Sequence, residues 1–302
     1  MRPGRTPARG RAPATRVTPC PHGLARPFRG RDARWRAGGG SPVNRPQDTD
    51  SPQRTERPAA ATGGAALPGG IALSRLRVYD WPAPPGSDGL CGGTPHMHLV
   101  CTEAYAVAGG TGAVQVVTSE GAATVPLAEG DLVWFTPGTV HRLVNEGSLR
   151  ILVLMQNAGL PEAGDAVFTF PPEVLADPDA YRSAAELDTT DREGSARRRR
   201  DLALDGYAAL RERAAGGDRS AMADFHTAAL RLVRPRLGDW RRTFDTGPAA
   251  EVARTAAHLA ALAEGDTAHL RSATVHRGDP GDAWGMCGRL DTFTSRDGAR
   301  VI

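Results

Sequence analysis

Three imidazoles and a carboxylate have the types and spacing to hold a metal: His96, His98, Glu103 and His141. His96 and His98 are two residues apart, which sets both rings on one face of a β-strand but on different faces of a helix. Glu103 follows five residues after His98, across the bend expected before the next strand. His141 heads a later strand, directly after the turn residues Pro137-Gly138-Thr139. Nitrogen donors with one carboxylate suit a borderline divalent ion such as Mn, Fe, Co, Ni, Cu or Zn. None of the three histidines is at helical spacing from another, so only a β scaffold brings them together.

Such a scaffold is legible from Ile71 onward. Short β-prone runs recur at roughly ten-residue spacing, the pattern of a sandwich or barrel. The expected strands are Arg75–Tyr79, His96–Val100, Ala104–Ala108, Val114–Thr118, Ala123–Pro126, Leu132–Phe135, His141–Val144 and Leu149–Met155. Gly-rich turns such as Gly109-Gly110-Thr111-Gly112 and Glu146-Gly147 separate them. After Pro171-Pro172 the period becomes helical. Leu204, Tyr207, Arg211 and Ala214 form one stripe, Met222, Phe225, Ala229 and Val233 a second, and Val252, Ala256, Leu259 and Leu262 a third. Pro248 suits the first turn of the third helix and Gly265 its end. The fold class expected is therefore mainly β, a single jelly-roll barrel over 71–170 followed by an α-helical C-terminal region over 171–302. Residues 1–70, rich in Arg, Pro and Gly with almost no aliphatic periodicity, are expected to be a disordered basic tail. The barrel pattern occurs once, so a second barrel is excluded.

On these residues the chain resembles the cupin superfamily. Its first motif is Gly, five residues, His-x-His, three or four residues, Glu, six residues, Gly; here His96-Met97-His98 is followed by Glu103 and Gly110 at those intervals. Its second is Gly, five residues, Pro-x-Gly-x-x-His, three residues, Asn; here Gly130, Gly138, His141 and Asn145 fall in place. Two turn positions depart from the pattern: Leu90 stands for the leading Gly of the first motif, and Thr136 for the proline of the second. The resemblance implies one divalent transition metal held by His96, His98, Glu103 and His141, a small-molecule ligand, and a homodimer. Four protein ligands on an octahedral ion would leave two positions open, as a Lewis-acid or oxygen-activating site requires.

Other candidates follow from strand parity. Tyr105, two residues after Glu103, shares its face, and Gln115 and Trp134 lie on neighbouring strands; core packing competes with ligand contact for Tyr105 and Trp134. Cys101 falls on the opposite parity to the histidines and reads as an outer packing residue, and Cys91 as a buried thiol. The stretch Trp284–Asp291 concentrates Trp, Cys, Arg and Asp. One reading folds it over the barrel mouth with Arg289 on an anionic substrate; the other packs it against the helices. Arg197–Arg200 reads as a solvated helix entrance.

The bulk composition narrows the partners. All 37 basic residues are arginine, and residues 1–70 carry 13 of them against 4 acids, leaving 24 against 30 acids in the remainder. The folded part is thus mildly acidic, which argues against nucleic-acid binding. Four scattered cysteines without CxxC pairs, and no secretory apolar run, point to reduced thiols in the cytoplasm and no membrane span. Three functions fit: a metal-dependent enzyme of the oxygenase or isomerase type acting on a small polar molecule, a non-catalytic small-ligand or sugar binder, or an interaction protein whose helical region recruits a partner. No dedicated base stands out, because Glu103 is expected to be a ligand.

Overall fold

Strands β3 (Glu103–Thr118) and β6 (Val140–Met155), 16 residues each, decide the architecture. Each replaces two of the strands expected from sequence. The glycine runs read as turns are bends inside continuous strands, because the pairing of β3 with β6 shifts register between Val107 and Gly112 without ending. Gly110 sits at φ 78° opposite Ser148 at φ 50°. A Cβ on Gly110 would stand 2.3 Å from the Ser148 carbonyl oxygen, so only glycine lets the strands turn this corner together.

Because both strands turn, both serve two sheets. Residues 113–117 of β3 pair with 140–144 of β6, and 103–107 pair with 151–155. Around the first half lie β4 (Gly121–Ala128), β2 (His96–His98) and β7 (Ala166–Phe168), giving the order β4-β3-β6-β2-β7. Around the second lie β5 (Leu132–Phe135), β1 (Ala72–Val78), β8 (Pro280–Trp284) and β9 (Gly288–Phe293), giving β5-β3-β6-β1-β9-β8. The described residues are 67–278 and 280–293, and the tail expected over 1–70 lies outside them apart from its last four residues; these observations come from a computed structural model. Tyr105, Val107, Val114, Leu143 and Ile151 fill the space between the sheets.

Six α-helices follow: α1 (Pro172–Ala176), α2 (Pro178–Ala185), α3 (Arg192–Ala215), α4 (Ser220–Val233), α5 (Leu237–Thr246) and α6 (Pro248–Ala263). The Asp191 carboxylate accepts the Gly194 N–H at 3.0 Å and caps α3, a contact worth about 1 kcal/mol. Gly206 lets α3 pass so close to the chain before α1 that a Cβ would meet the Thr169 carbonyl at 2.2 Å. The stripe Met222, Phe225, Ala229 and Val233 of α4 is buried as expected. The stripe of α6 is not: Val252 and Leu259 are 71% and 65% exposed, since α6 packs chiefly on α5 and the 3-10 turn Pro68–Gly70. No helix among the described residues is long and apolar enough to cross a membrane.

Two expectations are corrected. The Arg197–Arg200 run lies within α3 rather than at a solvated entrance. Arg197 and Arg198 face outward onto Glu193 and Asp191, while the next two turn inward, leaving Arg199 and Arg200 only 7% and 2% exposed. The helical region also ends early, at the 3-10 turn Ala268–Ser272. The chain then returns to the sheet as the β8–β9 hairpin, with β9 paired to β1 from Leu73↔Phe293 to Val78↔Gly288.

The shared corner makes Gly110 a single point of failure. Gly110→Ala should cost roughly 2–4 kcal/mol, a positive φ and a backbone clash together. Urea denaturation checks it: a midpoint equal to that of the wild type would mean the corner does not depend on glycine.

Candidate metal centre

The register places His96 of β2 opposite His141 of β6. Directly opposed residues share a face, so the pairing turns both rings inward, and the two-residue period brings His98 to the same side. Glu103 opens β3 in the other sheet and points in from there, opposite Met155 of β6 and Phe135 of β5. All four side chains are buried, and one ligand atom from each lies within 4.8 Å of every other.

Every imidazole is oriented by its Nδ1. His96 Nδ1 donates to the Thr94 carbonyl at 2.8 Å and His141 Nδ1 to the Thr139 carbonyl at 3.2 Å. His98 Nδ1 donates to the Asp165 carboxylate at 2.6 Å. Asp165, fully buried, is fixed in turn by the backbone N–H of Cys101 at 3.1 Å. With Nδ1 spent as the donor, each ring in its neutral form presents the Nε2 lone pair toward the centre. The Nε2 atoms of His96 and His141 stand 3.1 Å apart, and Glu103 Oε2 lies 3.1 Å from His141 Nε2 and 3.4 Å from His98 Nε2. Glu103 Oε2 has no hydrogen-bond partner.

Charge follows from that geometry. Burial, reinforced by the His141 and His98 rings, holds His96 well below the usual imidazole range. Burial alone would depress His98 too, but Asp165 and Glu103 outweigh it and raise it to about 10. Burial opposes ionisation of Glu103, yet His141 and His98 hold its carboxyl well below the usual range. A proton on His98 therefore competes with a cation at the centre. It does nothing for the facing lone pairs of His96 and His141, which a cation between them would satisfy. The donor set thus fits a divalent metal.

Three of the four, His96, His98 and Glu103, open on a cavity of about 450 Å³, lined also by Tyr105 from the barrel, by Met286 and Cys287 from the β8–β9 turn, and by Arg199 from α3. The Thr94 N–H donates to the Met286 carbonyl at 3.1 Å and holds this turn against the approach to β2. Tyr105 shares the inner face with Glu103, as parity predicts. Gln115 and Trp134 are not brought to the cavity. Gln115 pairs with Arg142 one step off the inward Val116–His141 pair, so it faces outward and meets the Tyr207 hydroxyl of α3 at 3.5 Å. Trp134 pairs with Ala104 on the outer face and is 65% exposed, whereas its neighbour Phe135 packs 4.2 Å from the His141 ring. Arg289 also lies outside the lining, ion-paired with Asp282 and 4.1 Å over the Trp284 ring. Cys101 is buried and free as expected, while Cys91 is disulfide-bonded rather than a thiol.

Asp165, Arg199 and Phe135 had escaped the sequence, whereas the stretch Trp284–Asp291 was singled out by it: the Met286-Cys287 turn lies on the cavity as one reading expected, but without Arg289. Asp165 sits in a loop that no period marks, and Arg199 looked like its neighbours in an arginine run. Only the sign of the strand parity could have picked Phe135 over Trp134.

Residues 84–155 match a family model described as "Cupin domain". The barrel, with its histidines and glutamate at the motif intervals, belongs to the cupin superfamily. No curated protein matches the sequence. Among solved structures the chain is similar to Pac13, a nucleoside dehydratase, at 16% identity over 33% of this chain and 69% of that one, with a TM-score of 0.25. With the uridine-bound Streptomyces form of Pac13 the match spans 62% of that chain. It is also similar to a predicted oxalate decarboxylase from Thermotoga maritima, at 22% identity over 28% of this chain and 64% of that one, with a TM-score of 0.21. A cupin protein from Bacteroides fragilis matches at 18% identity over 35% of this chain and 85% of that one, TM-score 0.21.

The β8–β9 turn packs on Gly93 so closely that a Cβ there would meet the Cys287 Cα at 2.6 Å. Gly93→Ala should therefore push the turn outward and expose Cys287, whose thiol burial now drives up to about 12. Its reaction with a chromogenic disulfide reagent is expected to speed up roughly tenfold or more as local opening becomes easier. A Cys287→Ser control assigns the signal, and an unchanged rate in Gly93→Ala would show that the turn is not held there.

Proposed function

We propose that His96, His98, Glu103 and His141 hold one divalent transition metal, and that the chain is a metal-dependent enzyme of the oxygenase or isomerase type acting on a small polar molecule. The observation that carries this reading is the convergence of three Nε2 atoms, each ring fixed through its Nδ1, on a buried Glu103 oxygen beside a cavity. Bound there, the ion supplies Lewis acidity toward a carbonyl or an oxygen species. The chain's own residues do the rest. The Thr94 and Thr139 carbonyls and Asp165 fix the three tautomers, and the Met286-Cys287 turn limits access of water. Tyr105, whose phenol burial holds well above its usual range, stays neutral beside Glu103 as a hydroxyl donor.

One observation favours a second reading, a non-catalytic ligand binder. Apart from the quartet, the ionisable groups lining the cavity are Tyr105, Cys287, Arg199 and the exposed Glu162, so no buried group outside the quartet is a base at neutral pH. Exchangeable metal with no turnover in oxygenase and isomerase assays would favour it.

Metal analysis of protein purified without chelator tests the site. One equivalent is expected in the wild type and essentially none in His98→Ala; equal content in both would end the proposal. Asp165→Asn, which leaves an acceptor for His98 Nδ1 but removes the charge, should weaken metal binding about 10- to 100-fold with the fold retained. Competition with a fluorescent chelator reads that loss directly.

A further inference from the structure

Three arginines are buried among the described residues, and they differ in one respect. Arg200 Nε meets the Asp201 carboxylate at 2.7 Å, and its two Nη atoms donate to the carbonyls of Trp81 and Pro82. Arg142 pairs with Asp88 at 2.5 Å. Arg199 has no carboxylate partner: Nη1 donates to the Ala185 carbonyl at 3.2 Å, Nη2 donates to the Gly285 carbonyl at 3.1 Å, and Nε has no acceptor. Its guanidinium carbon also lies 4.9 Å over the Phe168 ring. The titratable groups around it are Tyr79, Cys287 and Tyr181, which are neutral. A buried guanidinium needs a counter-charge, and its five N–H donors exceed the two acceptors supplied here.

Arg199 lines the cavity beside the metal quartet, and apart from the histidines it is the one cation in that lining. We infer that Arg199 anchors an anionic arm of the cavity's ligand, and that this ligand is a small carboxylate reaching from Arg199 toward His96, His98 and Glu103. The second half of that statement rests on the metal reading above; the first does not. The one cation of the lining faces apolar residues such as Leu76, Val153 and Leu290, while the exposed Glu162 of the same lining accepts the Gly159 N–H; one cation matches one carboxylate charge, whereas a phosphate dianion would be left half-neutralised. The planar fork of the guanidinium suits a carboxylate, and α3 holds it rigidly in place.

The test uses the full chain, loaded with one equivalent of Zn(II) or stripped with chelator, and calorimetric titration with succinate, its neutral diamide and inorganic phosphate. In both forms the wild type is expected to bind succinate at least tenfold more tightly than the diamide. Arg199→Gln should lose tenfold or more in succinate affinity, leave the diamide within threefold and keep its zinc; Arg199→Lys should recover part of the loss. Succinate affinity unchanged in Arg199→Gln overturns the inference, as does Arg199-dependent preference for phosphate over succinate. If zinc is not retained but stripped protein still shows Arg199-dependent succinate binding, the metal reading falls and the anchor stands. Should Arg199→Gln not fold by circular dichroism, stripped wild type and Arg199→Lys decide. Succinate and diamide bound alike by the stripped wild type then overturns it, and a succinate preference weakened in Arg199→Lys supports it.

Discussion

Two imidazole nitrogens facing each other 3.1 Å apart, each with its other nitrogen already committed as a donor, are a constraint on everything around them. The contact exists because His96 and His141 are directly opposed across β2 and β6. A slip of one residue in that register would turn His141 outward and bring Arg142 inward, since the side-chain period of a strand is two. The pairing of β6 with β3 fixes the same register from the other side, with Val116 opposite His141. Glu103 reaches the centre only because β3 bends and enters the second sheet. The corner at Gly109–Gly112 is therefore a condition of the site as well as of the barrel.

Buried charge then explains elements that a small barrel would not need. Arg200 is tied to the carbonyls of Trp81 and Pro82, so α3 is anchored to the segment leading into β2. Trp81 stacks on Tyr79 at 3.6 Å between ring centres, and the Arg197 guanidinium covers it at 4.2 Å. Arg199 meets the hairpin at Gly285, while Tyr79 donates its hydroxyl to the same carbonyl at 3.1 Å. Helix, hairpin and barrel thus converge on one wall of the cavity.

The sequence made the ligand quartet legible because its spacing is a property of strands, and strands were marked by turns and alternation. The same alternation put Tyr105 beside Glu103. It failed for Gln115 and Trp134, where the strand was known but its phase was not: Gln115 lies one residue from the inward Val116, and Trp134 one residue from the inward Phe135. The glycine runs at 109–112 and 146–147 were seen but read as chain reversals. A bulged corner and a turn use the same residue types, and only the continuity of pairing separates them. Asp165 and the strand pairing of the β8–β9 hairpin were hidden for a different reason, since their partners lie 67 residues away at His98 and more than 200 away at β1. No local pattern encodes such contacts.

What sets this chain apart from a bare barrel is then located outside the barrel. The quartet belongs to the shared scaffold, and a shared scaffold leaves the chemistry open. The groups that meet a ligand's far end come from elements added after β7: Arg199 from α3, and Met286 and Cys287 from the hairpin turn. Removing Arg199 would leave the Gly285 carbonyl its bond from Tyr79, so the hairpin does not depend on that arginine for its position. A buried cation with no carboxylate partner, which costs several kcal/mol to desolvate, needs a reason to be there beyond its two carbonyl contacts. The cavity it faces supplies one.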